Sequence, residues 1–539
     1  MSVPRRGLPD RRVWIAVVLL VVVAVAYWIW VGLHRSIDGD EGISILAGRA
    51  VLERGWPILP SGMVYRKGIV TSYFLAAAFR ALGVGDLAIT LPSAACGAGT
   101  LILTTLVARD LFGRAYAGLL AGVALVLAST ESFYVSGPRM YAALQFFAVA
   151  SLYGGWHGFV LDRRWGRTVT FVALLGAVLS HAQSGALLVA VPVSVAFAFG
   201  RSRPDARRRR MLFLAAVSWG TLVGVWLWTG LAQQLPGHSP RIVDAGGQNP
   251  ENFHLALDPG RALAQVWMLE TLVPLGALVA PLVVLSVWDA WKARQAHGRG
   301  TLFAAAWWSV STAITLVATG PVHPRIWIMT LPVYLLLVIT GVGHGFRTLL
   351  PAGRSRGRAV AAVGWAALLV CATSLHFGAA RYPRMLVDAY RRPGSRPTDR
   401  CAPAVKEAHR ELQRVLLPGD EIVATNPWIT DYYLGRVDAF LRERRDPDSP
   451  TGFRAFSSPS DEYLGIPLID TPEELAAVAD RRRRSWIVID PKFERYASAA
   501  THAFVERVLT RYMQSDLLEI YTDLTPGEIA AMRRAEPPS

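Results

Sequence analysis

The chain has 539 residues, of which 52% are hydrophobic and 18% charged, with a mean hydropathy of +0.32. It is too apolar for an ordinary soluble globule and long enough for many membrane spans plus an appended domain. The formal charge of +16 would in a soluble chain suggest nucleic acid, but the basic residues fall mostly in alternate loops between apolar runs. The basicity is therefore topological, and nucleic acid is not expected as a partner.

Residues 13 to 33 carry no charge over about the length that crosses a hydrocarbon core of ~30 Å. The run ends in Tyr27, Trp28 and Trp30, which marks an uncleaved anchor and not a signal peptide. Arg5, Arg6, Arg11 and Arg12 precede it. Later clusters are Arg163, Arg164 and Arg167; Arg201, Arg203 and Arg207 to Arg210; Lys292, Arg294 and Arg299; and Arg347, Arg354, Arg356 and Arg358. This spacing puts the N-terminus in the cytoplasm. Apolar runs between these loops give spans at 13–33, 88–109, 116–134, 140–160, 168–181, 184–200, 211–233, 264–289, 303–319, 326–345 and 359–379. The two runs around His181 also read as one long broken helix. An α-helical polytopic membrane protein of about 11 transmembrane helices is expected, with its C-terminus outside.

Residues 34–87 face outward and are far longer than the roughly four to six residues that most connections need. Ile43, Leu46, Ala47, Ala50 and Val51 recur at helical steps with Gly55 as a stop, and residues 70–83 form a second amphipathic stretch. Both are expected to lie flat on the outer membrane face.

From about residue 382 the chain turns polar. Strand-like segments at 421–426, 485–490 and 518–523 alternate with helical ones, Thr471 to Glu474 reads as a capping box, and 498–513 suits a helix. The expected division is a transmembrane module over 1–381, including loop 34–87, and an extracytoplasmic α/β domain over 382–539. Of three cysteines, Cys96 and Cys371 lie in spans and only Cys401 outside, so the exported region has no disulfide framework. Within it, Trp428, Tyr432 and Tyr433 stand close together, as a carbohydrate platform or as a helix face packing on the sheet.

Directly after the first span come three acids, Asp38, Asp40 and Glu41. Asp40 as the N-cap of a helix at 41–54 accounts for one of them. Three carboxylates together at a membrane surface are costly unless hydrated, paired or functional, and such clusters suit a general base. Lys67 is notable because the chain writes almost every other cation as arginine. A compact ammonium suits a point contact with phosphate, and a snorkelling interfacial lysine is the alternative.

The order of features resembles the lipid-sugar-dependent glycosyltransferases of the C fold (GT-C), among them the protein O-mannosyltransferases and the lipid A aminoarabinose transferase. The resemblance rests on Asp40-Glu41 after span one, GRAVLERGWPI (48–58), Lys67 where the family writes K-P-P, and residues 72–94 leading into span two. It continues in SGPRMYAALQFF (136–147), SHAQSGALL (180–188) and GPVHPRIWIMTLPVYLLL (320–337). Two departures stand out. Gly68-Ile69 replaces two prolines, which implies a less rigid loop, and a second acid near the start of span four is replaced by Gln145, with Glu131 the nearest acid before it.

The resemblance implies transfer of a sugar from a polyprenyl-phosphate donor to a hydroxyl of a lipid, glycan or protein acceptor. It implies single displacement with inversion, in a bacterial plasma membrane, on its outer face. Asp40 would accept the acceptor's proton, with Glu41 or Asp38 orienting it or the substrate, and Lys67, Arg139 and Arg325 would receive the phosphate. Tyr65, Tyr141 and His181 are further substrate-binding candidates. Against these readings, boundary arginines also anchor helices to headgroups, tyrosines belong to interfacial belts, and a histidine between apolar spans is often structural. No histidine pair stands at metal-ligand spacing, so no cofactor is specified and a divalent cation stays open. The rival readings are a transporter or lipid flippase, and a non-catalytic anchor presenting a binding domain.

Overall fold

The computed structural model describes residues 11–199, 219–226, 283–291, 296–318, 328–349, 403–442, 460–480, 483–490, 493, 497–515 and 518–535. Helices dominate up to residue 349, and one mixed sheet with its helices lies beyond 403. Of the expected spans, 359–379 lies outside the described residues, and most of 211–233 and 264–289 does too.

The N-terminal helix α1 (Arg11–His34) follows from its unbroken apolar run. It buries one side through Val17, Ala24, Trp28 and Val31 and leaves Ile15, Val18, Leu19, Val22 and Val23 at least half exposed, an apolar surface of the kind that faces lipid. With α4 (Asp86–Phe112) it is one of two described helices long and apolar enough to cross a membrane. Between them lie α2 (Gly39–Arg54) and α3 (Ile69–Leu82).

The expected span 116–134 is two helices, α5 (Ala115–Leu127) and α6 (Ser129–Val135), broken at Ala128 by an extended ψ of 122°. Next come α7 (Met140–Gly155), extended by a π-helical turn over Trp156–Val160, then α8 (Arg164–Ser180) and α9 (Gly185–Phe199). The two readings around His181 are decided by its backbone, extended at φ −162° and ψ 147°. Beyond that break α9 returns along α7, with Val191 beside Gly155, while α8 packs antiparallel to α7. Small residues permit that approach: a Cβ on Gly166 would sit 2.4 Å from the Gly158 nitrogen, the close helix contact that glycine allows in membrane bundles. One continuous core, from Trp28 through Leu144 and Leu187 to Trp307 and Leu336, joins these helices to Ala296–Ala318 and Leu331–Leu349.

The C-terminal unit is α/β as expected. Its sheet runs β3-β2-β1-β4-β6-β5, with β1 (Glu421–Ala424), β2 (Ala439–Leu441), β3 (Leu468–Ile469) and β4 (Ser485–Ile489) parallel. β6 (Glu519–Thr522) is antiparallel to β4, and β5 (Thr510–Gln514) antiparallel to β6. Apolar clusters cover both faces, one built on Trp486 and Ile520 and the other on Val423 and Ile487. The helix expected over 498–513 stops at Val508 and gives way to β5, because Tyr512 packs edge-on against Trp486 in the sheet core. Thr471 does cap its helix, accepting from the Glu474 amide at 3.2 Å.

Helix α2 departs from expectation. It does not lie as a half-exposed interfacial helix, because Glu41 to Gly48, Ala50 and Val51 are all buried. The side that sequence would leave to headgroups is covered by the helix Pro427–Leu434, whose backbone approaches so closely that a Cβ on Gly42 would meet the Trp428 carbonyl at 2.8 Å. Helix α3 keeps Tyr73, Phe74 and Leu82 exposed.

Candidate functional site

The start of α2 is set by a capping box. The Asp38 carboxylate accepts from the Gly39 amide at 2.8 Å, and Glu41 reaches back to accept from the Asp38 amide at 2.9 Å. The N-cap is thus Asp38, not Asp40 as the isolated reading had it. The second Glu41 oxygen takes the Arg35 guanidinium at 2.6 Å, with both side chains buried. Gly137 lies against that pair, and any side chain there would collide with it. Both Glu41 oxygens are thus engaged, one by the helix start and the other by Arg35.

Asp40, one residue inside the helix, has its side chain 57% exposed and faces Arg139, whose guanidinium is 2.9 Å away and only 4% exposed. Arg139 occupies the N-cap position of α7 and also stands 3.7 Å from Asp38. Among the described residues its buried Nε and Nη1 have no hydrogen-bond partner, and the guanidinium is held by its ion pairs with Asp40 and Asp38. The same guanidinium lies over the Tyr141 ring at 5.4 Å. Tyr141 in turn packs against His181, centroids 5.3 Å apart, and edge-on against Tyr134 at 4.8 Å. The His181 ring accepts from the Gln183 amide at 3.1 Å and caps the short turn before α9.

Tyr65 enters this group from residues 57–65, which fold back as a narrow loop joined by the Ile58–Val64 bridge. The Tyr65 ring is buried against Ile43, Leu46 and Leu59. Burial pushes its phenol up to about 12, a hydrogen bond to Ser44 pulls the other way, and Asp40 and Arg139 act on it with opposite signs. Asp40, Arg139, Tyr65 and Tyr141 thus sit in one electrostatic neighbourhood. Lys67, two residues on, is exposed. Arg325 lies outside the described residues.

The departure after Lys67 has a conformational reason. Gly68 has φ +74° and a Cβ there would touch Met140 at 3.0 Å. Proline, fixed near φ −65°, cannot take that conformation, so the loop is held by a different geometry in place of two prolines. At the second departure, Gln145 donates to the Glu131 carboxylate and to the Ile328 carbonyl, both at 2.8 Å. Among the described residues no three His, Cys, Asp or Glu side chains gather as a metal site, and the two aspartates answer to Arg139.

The C-terminal unit reaches this region, which the sequence did not disclose. Ser61 donates from its hydroxyl to the Glu462 carbonyl at 2.5 Å and from its amide to the Tyr463 carbonyl at 3.2 Å. Tyr463 and Trp428 pack edge-on, 5.3 Å apart, beside the apolar cluster that holds Tyr65. Tyr432 donates to Asp86 at 2.9 Å, the Ile37 amide donates to the Tyr433 hydroxyl at 3.2 Å, Asp431 pairs with Arg49, and Lys406 pairs with Asp86. The aromatic group at 428–433 is thus chiefly a docking surface against residues 34–89. Trp428 also meets the sheet, through Phe440.

No protein-family model matches the chain, and a search of curated proteins finds no match. Solved structures are. ArnT from Cupriavidus metallidurans bound to undecaprenyl phosphate aligns with a TM-score of 0.62 and 15% identity, covering 96% of this chain and 99% of that one. The same protein in the apo state aligns at 0.59 and 17% identity, covering 97% and 99%. From first helix to C-terminal sheet, the chain shares the GT-C fold of ArnT.

Proposed function

We propose that the chain is an integral-membrane glycosyltransferase that moves a sugar from a polyprenyl-phosphate donor to an acceptor hydroxyl, on the extracytoplasmic face of a plasma membrane. The observation that carries this reading is the exposed Asp40 carboxylate held 2.9 Å from the buried Arg139 guanidinium. One group takes a proton, and the other takes the negative charge of a leaving phosphate. The shared fold with a protein crystallised with undecaprenyl phosphate supports a lipid phosphate as partner.

In the proposed step the acceptor oxygen attacks the anomeric carbon while its proton passes to Asp40. The bond between that carbon and the phosphate oxygen breaks on the opposite face, its electron pair leaving with the phosphate, and the configuration inverts. Proton removal by a positioned base is worth about 10²–10⁴ in rate. Arg139 holds the Asp40 carboxylate at 2.9 Å and offers its positive charge to the phosphate, where charge-assisted contacts are strong. Lys67 adds a second positive charge. Tyr65 and Tyr141 wall the sugar, His181 holds Tyr141 in place, and Asp38 orients Arg139. Glu41 acts through the helix start and through Arg35.

The test is mass analysis of membrane lipids and surface glycans from cells lacking the protein. Accumulation of one polyprenyl-phosphate sugar with loss of that sugar from a surface product is expected. Unchanged lipid and glycan profiles overturn the reading.

A further inference from the structure

Asp40 rides on a turn that is weak by itself. The first turn of any helix lacks internal partners for its amides, and α2 opens Gly39-Asp40-Glu41-Gly42, with a poor helix former at each end of the turn. The contacts made there explain both glycines. A Cβ on Gly39 would lie 3.2 Å from the Asn426 Oδ1 and 3.3 Å from the Trp428 ring, and one on Gly42 would lie 2.8 Å from the Trp428 carbonyl oxygen. Gly39 and Gly42 stand three residues apart on one face of α2, so together they form a notch that receives Asn426 to Trp428. Asn426 meets the notch by packing: its Oδ1 is buried with no hydrogen-bond partner among the described residues, while its amide nitrogen donates to Asp490 at 3.3 Å. Trp428 is fixed in turn by its indole bond to Asp461 at 3.3 Å and by edge-on contacts with Tyr463 and Phe440.

We propose that the C-terminal unit positions the base: seated in the notch of Gly39 and Gly42, Asn426 and Trp428 hold the turn that aims Asp40 at Arg139. This rests on the assignment of Asp40 as the proton acceptor. Asn426 and Trp428 are positioning residues, since they touch α2 and not the reacting atoms. The ion pairs of Glu41 with Arg35 and of Asp40 with Arg139 act on other faces of the same turn, so they do not replace the wedge. Two turns further along, Arg49 pairs with Asp431 and keeps the two helices in register. A misplacement of about 1 Å at a reacting group can cost about 10²-fold in rate. The notch thus exchanges local helix stability for a turn that the docked C-terminal unit orders.

The experiment compares wild type, Gly42→Ala, Trp428→Ala and Trp428→Phe in two measurements. The purified full chain in lipid nanodiscs is titrated with undecaprenyl phosphate, and cells lacking the protein, complemented at equal membrane expression, are followed for turnover of their polyprenyl-phosphate sugar. Gly42→Ala favours helix but presses on the Trp428 carbonyl, and Trp428→Ala empties the notch; each is expected to lower turnover by about 10-fold or more, with affinity for undecaprenyl phosphate unchanged. Trp428→Phe keeps a ring in the notch and is expected to restore most of the turnover. Should Trp428→Ala not reach the membrane, Gly42→Ala decides alone. Wild-type turnover in Gly42→Ala or Trp428→Ala overturns the positioning role, as does a Trp428→Phe protein no better than Trp428→Ala. Loss of lipid-phosphate affinity in step with turnover also overturns it, since that marks general damage. If wild type neither turns over a lipid-linked sugar nor binds undecaprenyl phosphate, the assignment of Asp40 falls first.

Discussion

The Arg139 guanidinium spans two carboxylates that α2 presents two residues apart, at 2.9 Å from Asp40 and 3.7 Å from Asp38. Because α2 begins at a capped turn, the pair is fixed by backbone geometry at the start of both α2 and α7. Replacing Arg139 by Gln removes the charge and the unused donors. Transfer is expected to fall by about 10²-fold or more, with weaker binding of undecaprenyl phosphate. Lys in its place restores only part, since a point charge cannot serve two carboxylates and a phosphate as a planar fork does. Initial rates and lipid-phosphate titration read both effects.

Arg35 and Glu41 form the buried support beneath that pair. Arg35→Ala leaves the Glu41 carboxylate buried without its cation, a loss expected to cost ~3–5 kcal/mol. The melting temperature of the purified protein in detergent should fall well below wild type. Replacing both residues with apolar side chains of similar volume should cost less than the single change.

Gly68 carries a backbone conformation that other residues adopt at a penalty. Gly68→Ala should destabilise the protein by ~1–2 kcal/mol, and Gly68→Pro by more, because φ +74° is closed to proline. Thermal unfolding of the two variants tests this order. A Gly68→Pro protein as stable as wild type would contradict the conformational account of the departure from K-P-P.

His409 gives the C-terminal unit a pH dependence. Its ring is 1% exposed, with Nδ1 at 2.7 Å from the Val405 carbonyl and Nε2 at 3.2 Å from the Thr430 hydroxyl. Burial holds its pKa down to about 4, against 6.5 in the unfolded chain, with the bond to Val405 opposing. Between those values the unfolded chain binds a proton that the folded one excludes. Stability is therefore full above pH 6.5 and falls as pH drops toward 4, by roughly 3 kcal/mol in all. Melting curves at pH 7 and 4.5 should differ less for His409→Gln than for wild type.

What was legible in the sequence was whatever neighbouring residues decide. The apolar run of α1, the glycine stop of α2, the Thr471 cap and strands β1, β4 and β6 follow from local pattern. Strands β2 and β3 have three and two residues, too short for any period to register, and β5 hides in a segment whose spacing also suits a helix. Asp40, Arg139 and Tyr141, which the structure brings beside Tyr65, stand in motifs whose order resembles a known family, whereas Tyr65 stood out only as an aromatic near Lys67. Asp38, and not Asp40, caps the helix because Glu41, and no other acid, sits three residues further on. The burial of α2 and the place of Glu462 were out of reach, because they depend on contacts such as Ser61 to Glu462, 401 residues apart. Nothing in either segment alone writes such a pairing.

Cells lacking the protein, complemented with wild type or with Asp40→Asn and compared by mass analysis of their surface glycans at equal membrane expression, test the central claim most directly. The account predicts that wild type restores the missing sugar and Asp40→Asn does not, while the variant still binds undecaprenyl phosphate. Full restoration by Asp40→Asn would contradict it.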